Sequence, residues 1–107
     1  MNLDEYQEAA KRPAKQFIEW KEALCDFGMG VSGEAGEIAN YLKKVVFHEH
    51  PLDPGKLEEE IGDVLWYIAM LCNYTGLSLS AIPQKNIEKL QKRYPEGFSP
   101  ERSLQRE

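Results

Sequence analysis

Four carboxylates dominate any chemical reading of this chain. They fall in two similar segments, Glu34-Ala35-Gly36-Glu37 and Glu60-Ile61-Gly62-Asp63, with 22 residues between them. In each segment two acids stand at i and i+3 around a glycine. On a helix such a pair lies about 60° apart and one turn along, so both acids share a face. If two helices carrying them pack antiparallel through a short connection, the pairs face each other across the seam. Four partly buried carboxylates at one point cannot all stay ionised without protons or cations. Hard oxygen donors with no matched nitrogen or sulfur favour Mg²⁺, with Mn²⁺ or Ca²⁺ as substitutes.

Cationic and hydrogen-bonding groups are available around these acids. Tyr41, Lys44 and His48 fall within about 80° of the Glu34 direction on a helix, whereas Lys43 points away. Lys56 lies one turn before Glu60, Glu59 flanks it, and Tyr67 lies one turn beyond Asp63. Further on, Asn86, Lys89 and Arg93 share a sector about 60° wide. An acidic centre ringed in this way suits a polyphosphate bridged through metal ions, because bound cations invert the local field. Acid pairs are also common on solvated helix faces. Here, however, Asp63 immediately precedes the longest apolar run, Val64 to Cys72, where a solvated acid is out of place.

The elements that must position these groups are helical. Asn2 and Glu5 form a capping box for a first helix that Pro13 ends or kinks. A second apolar-periodic stretch runs from near Phe17 to about Phe47, with the glycines between as a candidate break. Asp53 as N-cap with Pro54 behind it starts a third helix, which Gly76 stops. Ser78 or Ser80 caps a fourth, running to about Tyr94. Strand-type alternation is absent, so the expected fold is all-α, a bundle of about four helices in one domain over residues 1–107, with a polar, loosely held tail from Ser99. The third helix is apolar on every side after Asp63. A small bundle has little chain with which to surround such a helix, so the chain is expected to form a homo-oligomer.

Other motifs are weaker. Gly28-Met29-Gly30-Val31-Ser32-Gly33 matches G-x-G-x-x-G, yet no strand precedes it and no parallel sheet follows, so the small residues are read as letting the second helix start, bend or approach a neighbour closely. A carboxylate-bridged di-iron bundle needs a His three residues after a Glu, which is lacking. His48 and His50 are read as surface or hinge residues, and Trp20, Trp66 and Tyr67 as core aromatics. Cys25 and Cys72 are read as buried reduced thiols.

Composition sets outer bounds. A chain of 107 residues that is 42% hydrophobic and 29% charged is a folded single domain. A net charge of −5 with no basic stripe argues against nucleic acid as partner. The nine-residue apolar run falls short of the roughly 20 residues of a membrane span. The acidic start, Met1 to Glu5, shows no export signal, so a cytoplasmic location is expected.

Taken in order, Asp4-Glu5-Tyr6-Gln7, Gly33-Glu34-Ala35-Gly36-Glu37, Glu59-Glu60-Ile61-Gly62-Asp63-Val64-Leu65-Trp66-Tyr67 and Asn86-Ile87-Glu88-Lys89-Leu90 through Arg93-Tyr94-Pro95 resemble the MazG-like, all-α nucleoside triphosphate pyrophosphohydrolases. The resemblance spans roughly residues 3 to 98. It implies Mg²⁺-dependent hydrolysis of a nucleoside triphosphate, often non-standard or deoxy, to the monophosphate and pyrophosphate. It implies Glu34, Glu37, Glu60 and Asp63 as metal ligands, Lys89 and Arg93 on the phosphate chain with Asn86 beside them, and sites built on dimers or dimers of dimers. Where some members carry a further Glu this chain has Gly33, which leaves Glu34 or Glu59 to activate water. Lys44 and Lys56 are further candidates for the leaving pyrophosphate. Two other readings stand beside this one: a related hydrolase specific for dUTP, dCTP or phosphoribosyl-ATP, and a helical oligomer that binds a nucleotide without turning it over.

Overall fold

The computed structural model describes residues 1–16 and 19–105. In chain order it holds α1 (Leu3–Ala9), α2 (Trp20–Phe47), α3 (Pro54–Thr75), a 3-10 turn (Leu79–Ala81), α4 (Ile82–Arg93) and α5 (Pro100–Leu104). Among the described residues there is no strand, and the fold is all-α as expected. No single helix is long and apolar enough to cross a membrane.

The boundaries follow local chemistry. Asn2 and Glu5 close the capping box reciprocally, at 2.8 and 3.0 Å. Asp53 caps α3 by accepting from the Gly55 N–H at 3.0 Å, with Pro54 at the first helical position. Gly76 ends α3 in the left-handed conformation at φ 73°. The segment Gly28 to Gly33 lies inside an unbroken 28-residue helix, which disposes of the dinucleotide-loop reading. Phe17, where the second helix was expected to begin, lies outside the described residues. The terminal segment from Ser99 contains one short helix, α5, with Ser99 accepting from the Arg102 N–H at 3.3 Å.

Helices α2 and α3 pack antiparallel and form the body of the molecule. Each step along α2 is matched by an equal step back along α3. Gly30 lies under the Tyr67 ring, Glu34 meets Asp63 and Glu60, Glu37 shares a cleft with Glu60, and Tyr41 lies beneath Lys56. The α2 positions 23, 27, 30, 34, 37 and 41 alternate steps of four and three, as do 56, 60, 63, 67, 70 and 74 on α3. This is the seam spacing of a two-helix coiled coil. At one end the seam is apolar: Ala23, Phe27, Ala69, Met70 and Cys72 are buried with Ala10 and Leu79. Phe27 packs edge-on to Trp66 with ring centroids 5.6 Å apart.

Helix α1 is tied across this apolar end. The Trp66 indole donates to the Ala10 carbonyl at 3.0 Å, and the Asn73 amide to the Gln7 carbonyl at 3.0 Å. Gln7 in turn donates to Leu77 O and accepts from Leu79 N, at 2.9 and 2.8 Å. Trp66 and Tyr67 are half-buried, in keeping with a core role. Trp20 departs from it at 60% exposed, because the seam register carries the first turn of α2 past the last residue of α3. Cys72 is buried as expected, but Cys25 is exposed. It lies on the face away from Ala23 and Phe27, in contact with the Met29 sulfur at 3.5 Å.

Beyond Gly76 the chain leaves the body. Among the described elements, α4 packs substantially only on the 3-10 turn. The radius of gyration is 17.0 Å, against about 13 Å for a compact chain of this length.

Candidate metal centre

Midway along the α2–α3 seam the apolar layers give way to acids. One carboxylate oxygen from each of Glu34, Glu60 and Asp63 lies within 4.8 Å of the other two. Glu34 and Glu60 are half-buried, whereas Asp63 opens to solvent. Partial burial raises the Glu34 pKa above the ordinary carboxylate range, and the charges of Asp63, Glu60 and Glu37 push it further. Burial and then the charge of Asp63 likewise raise the Tyr6 phenol, so α1 reaches the edge of the same cluster. Three converging hard oxygen donors whose mutual repulsion already favours a bound proton are a fit for a divalent cation.

Glu37 is not in this triad. It lies one turn further along α2, in a cleft of about 320 Å³ shared with Glu60. Lys44 and Lys56 line the same cleft, together with Asn40, Tyr41 and Asp53. The expected convergence of four acids on one point is therefore three acids and a neighbour, whose charge is still felt at Glu34.

Glu59 is exposed and belongs neither to the triad nor to the lining of the cleft. On a helix it points about 100° away from Glu60, which turns it out of the seam. Asn86 and Lys89 are exposed on α4, and Arg93 is half-buried. Among the described residues α4 has no substantial packing on α2 or α3, and none of these three joins the acid triad or the lining of the cleft. His48 caps the end of α2 and is exposed. His50, read as a surface or hinge residue, lines the far end of the cleft.

Sequence reasoning passed over Asn40 and Asp53 as members of the cleft. The signal for Asn40 was present, since it follows Glu37 by three residues and shares its face. Asp53 arrives through the loop that reverses the chain, which periodicity does not describe.

Comparison with known proteins agrees with this architecture. The chain is 38% identical over 105 residues to the Gene 37 protein of Mycobacterium phage L5, covering 91% of this chain and 92% of that protein. No solved structure matches it significantly. The family model described as MazG nucleotide pyrophosphohydrolase domain matches residues 27–98, a span that begins in the seam at Phe27 and takes in all four acids, the cleft and α4. The chain belongs to the MazG nucleotide pyrophosphohydrolase family.

Proposed function

We propose that this chain hydrolyses a nucleoside triphosphate to the monophosphate and pyrophosphate with Mg²⁺, Mn²⁺ serving as a substitute. The observation that carries this reading is the triad Glu34, Glu60 and Asp63, its oxygens within 4.8 Å, opening beside a cleft that holds Lys44 and Lys56. Glu34, Glu60 and Asp63 would hold the cation, with Glu37 adjacent. A bound divalent ion supplies charge neutralisation for phosphate oxygens and acidifies water.

The remaining steps fall to the chain's own groups. Water attacks the α-phosphorus, the bond to the α–β bridging oxygen breaks, and that oxygen leaves with pyrophosphate. Glu34, half-buried within the acid cluster, would accept the water proton. Lys44 and Lys56 face the leaving pyrophosphate from the cleft. Glu59, exposed and outside the triad, is the second candidate for that role.

The same reading requires a second copy of the chain. Asn86, Lys89 and Arg93 stand on α4, which among the described elements packs substantially only on the 3-10 turn and not on the acid-bearing seam. Helix α4 carries four cations to one acid, and Ile82, Ile87 and Leu90 are exposed on it. On α3, Val64, Leu65, Ile68 and Leu71 are only half-covered. A symmetric dimer would cover these apolar residues and bring α4 of one copy toward the acids of the other. A cytoplasmic location goes with this reading.

The deciding measurement is release of pyrophosphate from a panel of ordinary, deoxy and modified nucleoside triphosphates with Mg²⁺, with the monophosphate identified by mass. Release that disappears on chelation supports the proposal. Tight nucleotide binding with no release across the panel would favour the non-catalytic oligomer.

A further inference from the structure

The cleft beside the triad contains a tyrosine with three separate contacts. Tyr41 is 8% exposed. Its hydroxyl donates to the Pro51 carbonyl at 3.2 Å and accepts from the Asp53 N–H at 2.7 Å. Both partners belong to the connection that reverses the chain between α2 and α3, and Asp53 is the N-cap of α3. The Tyr41 ring lies beneath the Lys56 ammonium, 5.2 Å from its centroid. Lys56 follows the cap by three residues, so the residue that pins the cap also seats the lysine.

The kind of seat matters. Glu37 and Glu60 line the same cleft, yet among the described residues the Lys56 ammonium has no carboxylate within ion-pair distance. An ion pair would hold the lysine and also cancel its charge. A ring face holds a cation through its quadrupole and leaves the charge available to an arriving anion.

We infer that Tyr41 is a positioning residue that holds Lys56, uncancelled, at the cleft as the seat for the pyrophosphate end of the substrate. The inference rests on the reading proposed above and adds the residue that makes its phosphate subsite.

The test uses the full chain loaded with Mn²⁺ and inorganic pyrophosphate as the probe, followed by calorimetry, with KM and kcat measured on the best triphosphate. Lys56→Met is expected to weaken pyrophosphate binding roughly fivefold and to lower kcat/KM, with Mn²⁺ affinity little changed. Tyr41→Leu, which removes the ring, is expected to do the same, and the two changes together to cost no more than either alone. Tyr41→Phe keeps the ring and loses only the loop bonds. It is expected to lower the melting midpoint while leaving pyrophosphate affinity within about twofold of the parent.

A purely structural tyrosine would behave otherwise, with Phe and Leu weakening binding in proportion to lost stability and the Lys56 effect multiplying with both. Either pattern overturns the inference, as does failure of the metal-loaded parent to bind pyrophosphate. A parent that binds pyrophosphate but hydrolyses no triphosphate removes the hydrolase reading alone, since the Tyr41–Lys56 coupling is still read in the binding data.

Discussion

The seam between α2 and α3 and the arm formed by α4 carry the two halves of one proposed chemistry, and they are built in opposite ways. The seam is finished within a single chain: its register brings acids from two helices together to within 4.8 Å. The arm presents Asn86, Lys89 and Arg93 on a helix that, among the described elements, packs substantially only on the 3-10 turn before it. A two-helix seam can place ligands accurately because each position is fixed by packing above and below. An arm that buries almost nothing of its own has no such constraint until something covers it. On the proposed reading, cation binding would be a property of the monomer, whereas grip on a phosphate chain would depend on assembly.

The largest test of that division is removal of a seam ligand. Asp63→Ala should lower turnover by at least about a hundredfold and abolish saturable Mn²⁺ binding, while circular dichroism shows unchanged helix content. Glu37→Ala, one turn outside the triad, should be the milder variant and retain measurable Mn²⁺ affinity. If Glu37→Ala proves the more damaging for metal, the triad is wrongly drawn.

Next in size is complementation between copies. Asp63→Ala and Arg93→Ala, each inactive alone, should recover roughly a quarter of the parent activity when mixed after partial unfolding and refolding, because half of the resulting dimers hold one intact site of two. Recovery at background level would place both halves of the site in one chain and erase the distinction between seam and arm.

The two regions also differ in how legible they were. The seam could be read from the residues because two signals coincide there: paired acids at i and i+3, and an apolar repeat in steps of four and three that runs straight through them. The caps at Asn2 and Asp53 and the stop at Gly76 were legible because each depends on one residue's local hydrogen bonding or φ. The position of α4 was not legible. Its amphipathic pattern marks an apolar side without naming what, if anything, covers it. Nor was the separation of Glu37 from the triad. Spacing assigns it the right face, but only the register between two helices decides which acids are level with one another. Cys25 was misjudged for a related reason, since apolar neighbours in sequence lie on both faces of a helix.

Packing at the seam can be tested without touching the acids. A Cβ at Gly30 would overlap the Tyr67 ring, which lies against that glycine one turn from both Glu34 and Asp63. Gly30→Ala must push α2 and α3 apart or swing the ring aside, at about 1–3 kcal/mol in stability by urea denaturation. Gly33→Ala and Gly36→Ala meet nothing and should be neutral or slightly stabilising. A tolerant Gly30 would mean that the seam is looser than its register implies.

A smaller effect should follow from the charge in the seam. The Glu34 pKa is raised in the folded state, so above it the ionised side chain works against folding. The native state then binds more protons than the unfolded state in the window between the ordinary carboxylate value and the raised one. The stability of the metal-free protein should therefore rise as pH falls through that window. Added Mg²⁺ should counter the trend, because it favours the ionised form. Glu34→Leu, which restores an apolar residue to the seam repeat, should flatten the Glu34 contribution to the profile and raise the melting midpoint while removing activity. A metal-free protein that instead loses stability over the same fall in pH would contradict the crowding of these acids.

The smallest effect concerns how the two regions are joined. A left-handed residue follows each long helix: Gly76 at φ 73° caps α3 and leads toward the arm, and Glu49 at φ 57°, one residue past the α2 cap, leads into the reversal that closes the seam. After Glu49 the His50 N–H returns to the Lys44 carbonyl at 3.1 Å, so the strained residue sits within a closed turn. Left-handed geometry costs a residue with a Cβ roughly 1–2 kcal/mol, and glycine gives back about 0.5–1 kcal/mol through its freer unfolded chain. The difference favours Glu49→Gly by something near 0.5 kcal/mol, a rise in the urea midpoint with no change in slope. Gly76→Ala carries the same arithmetic with the sign reversed and should destabilise. If both changes prove neutral, the two turns differ little in strain, and the firmness of the seam must come from its packing and from Tyr41 rather than from the turn that closes it.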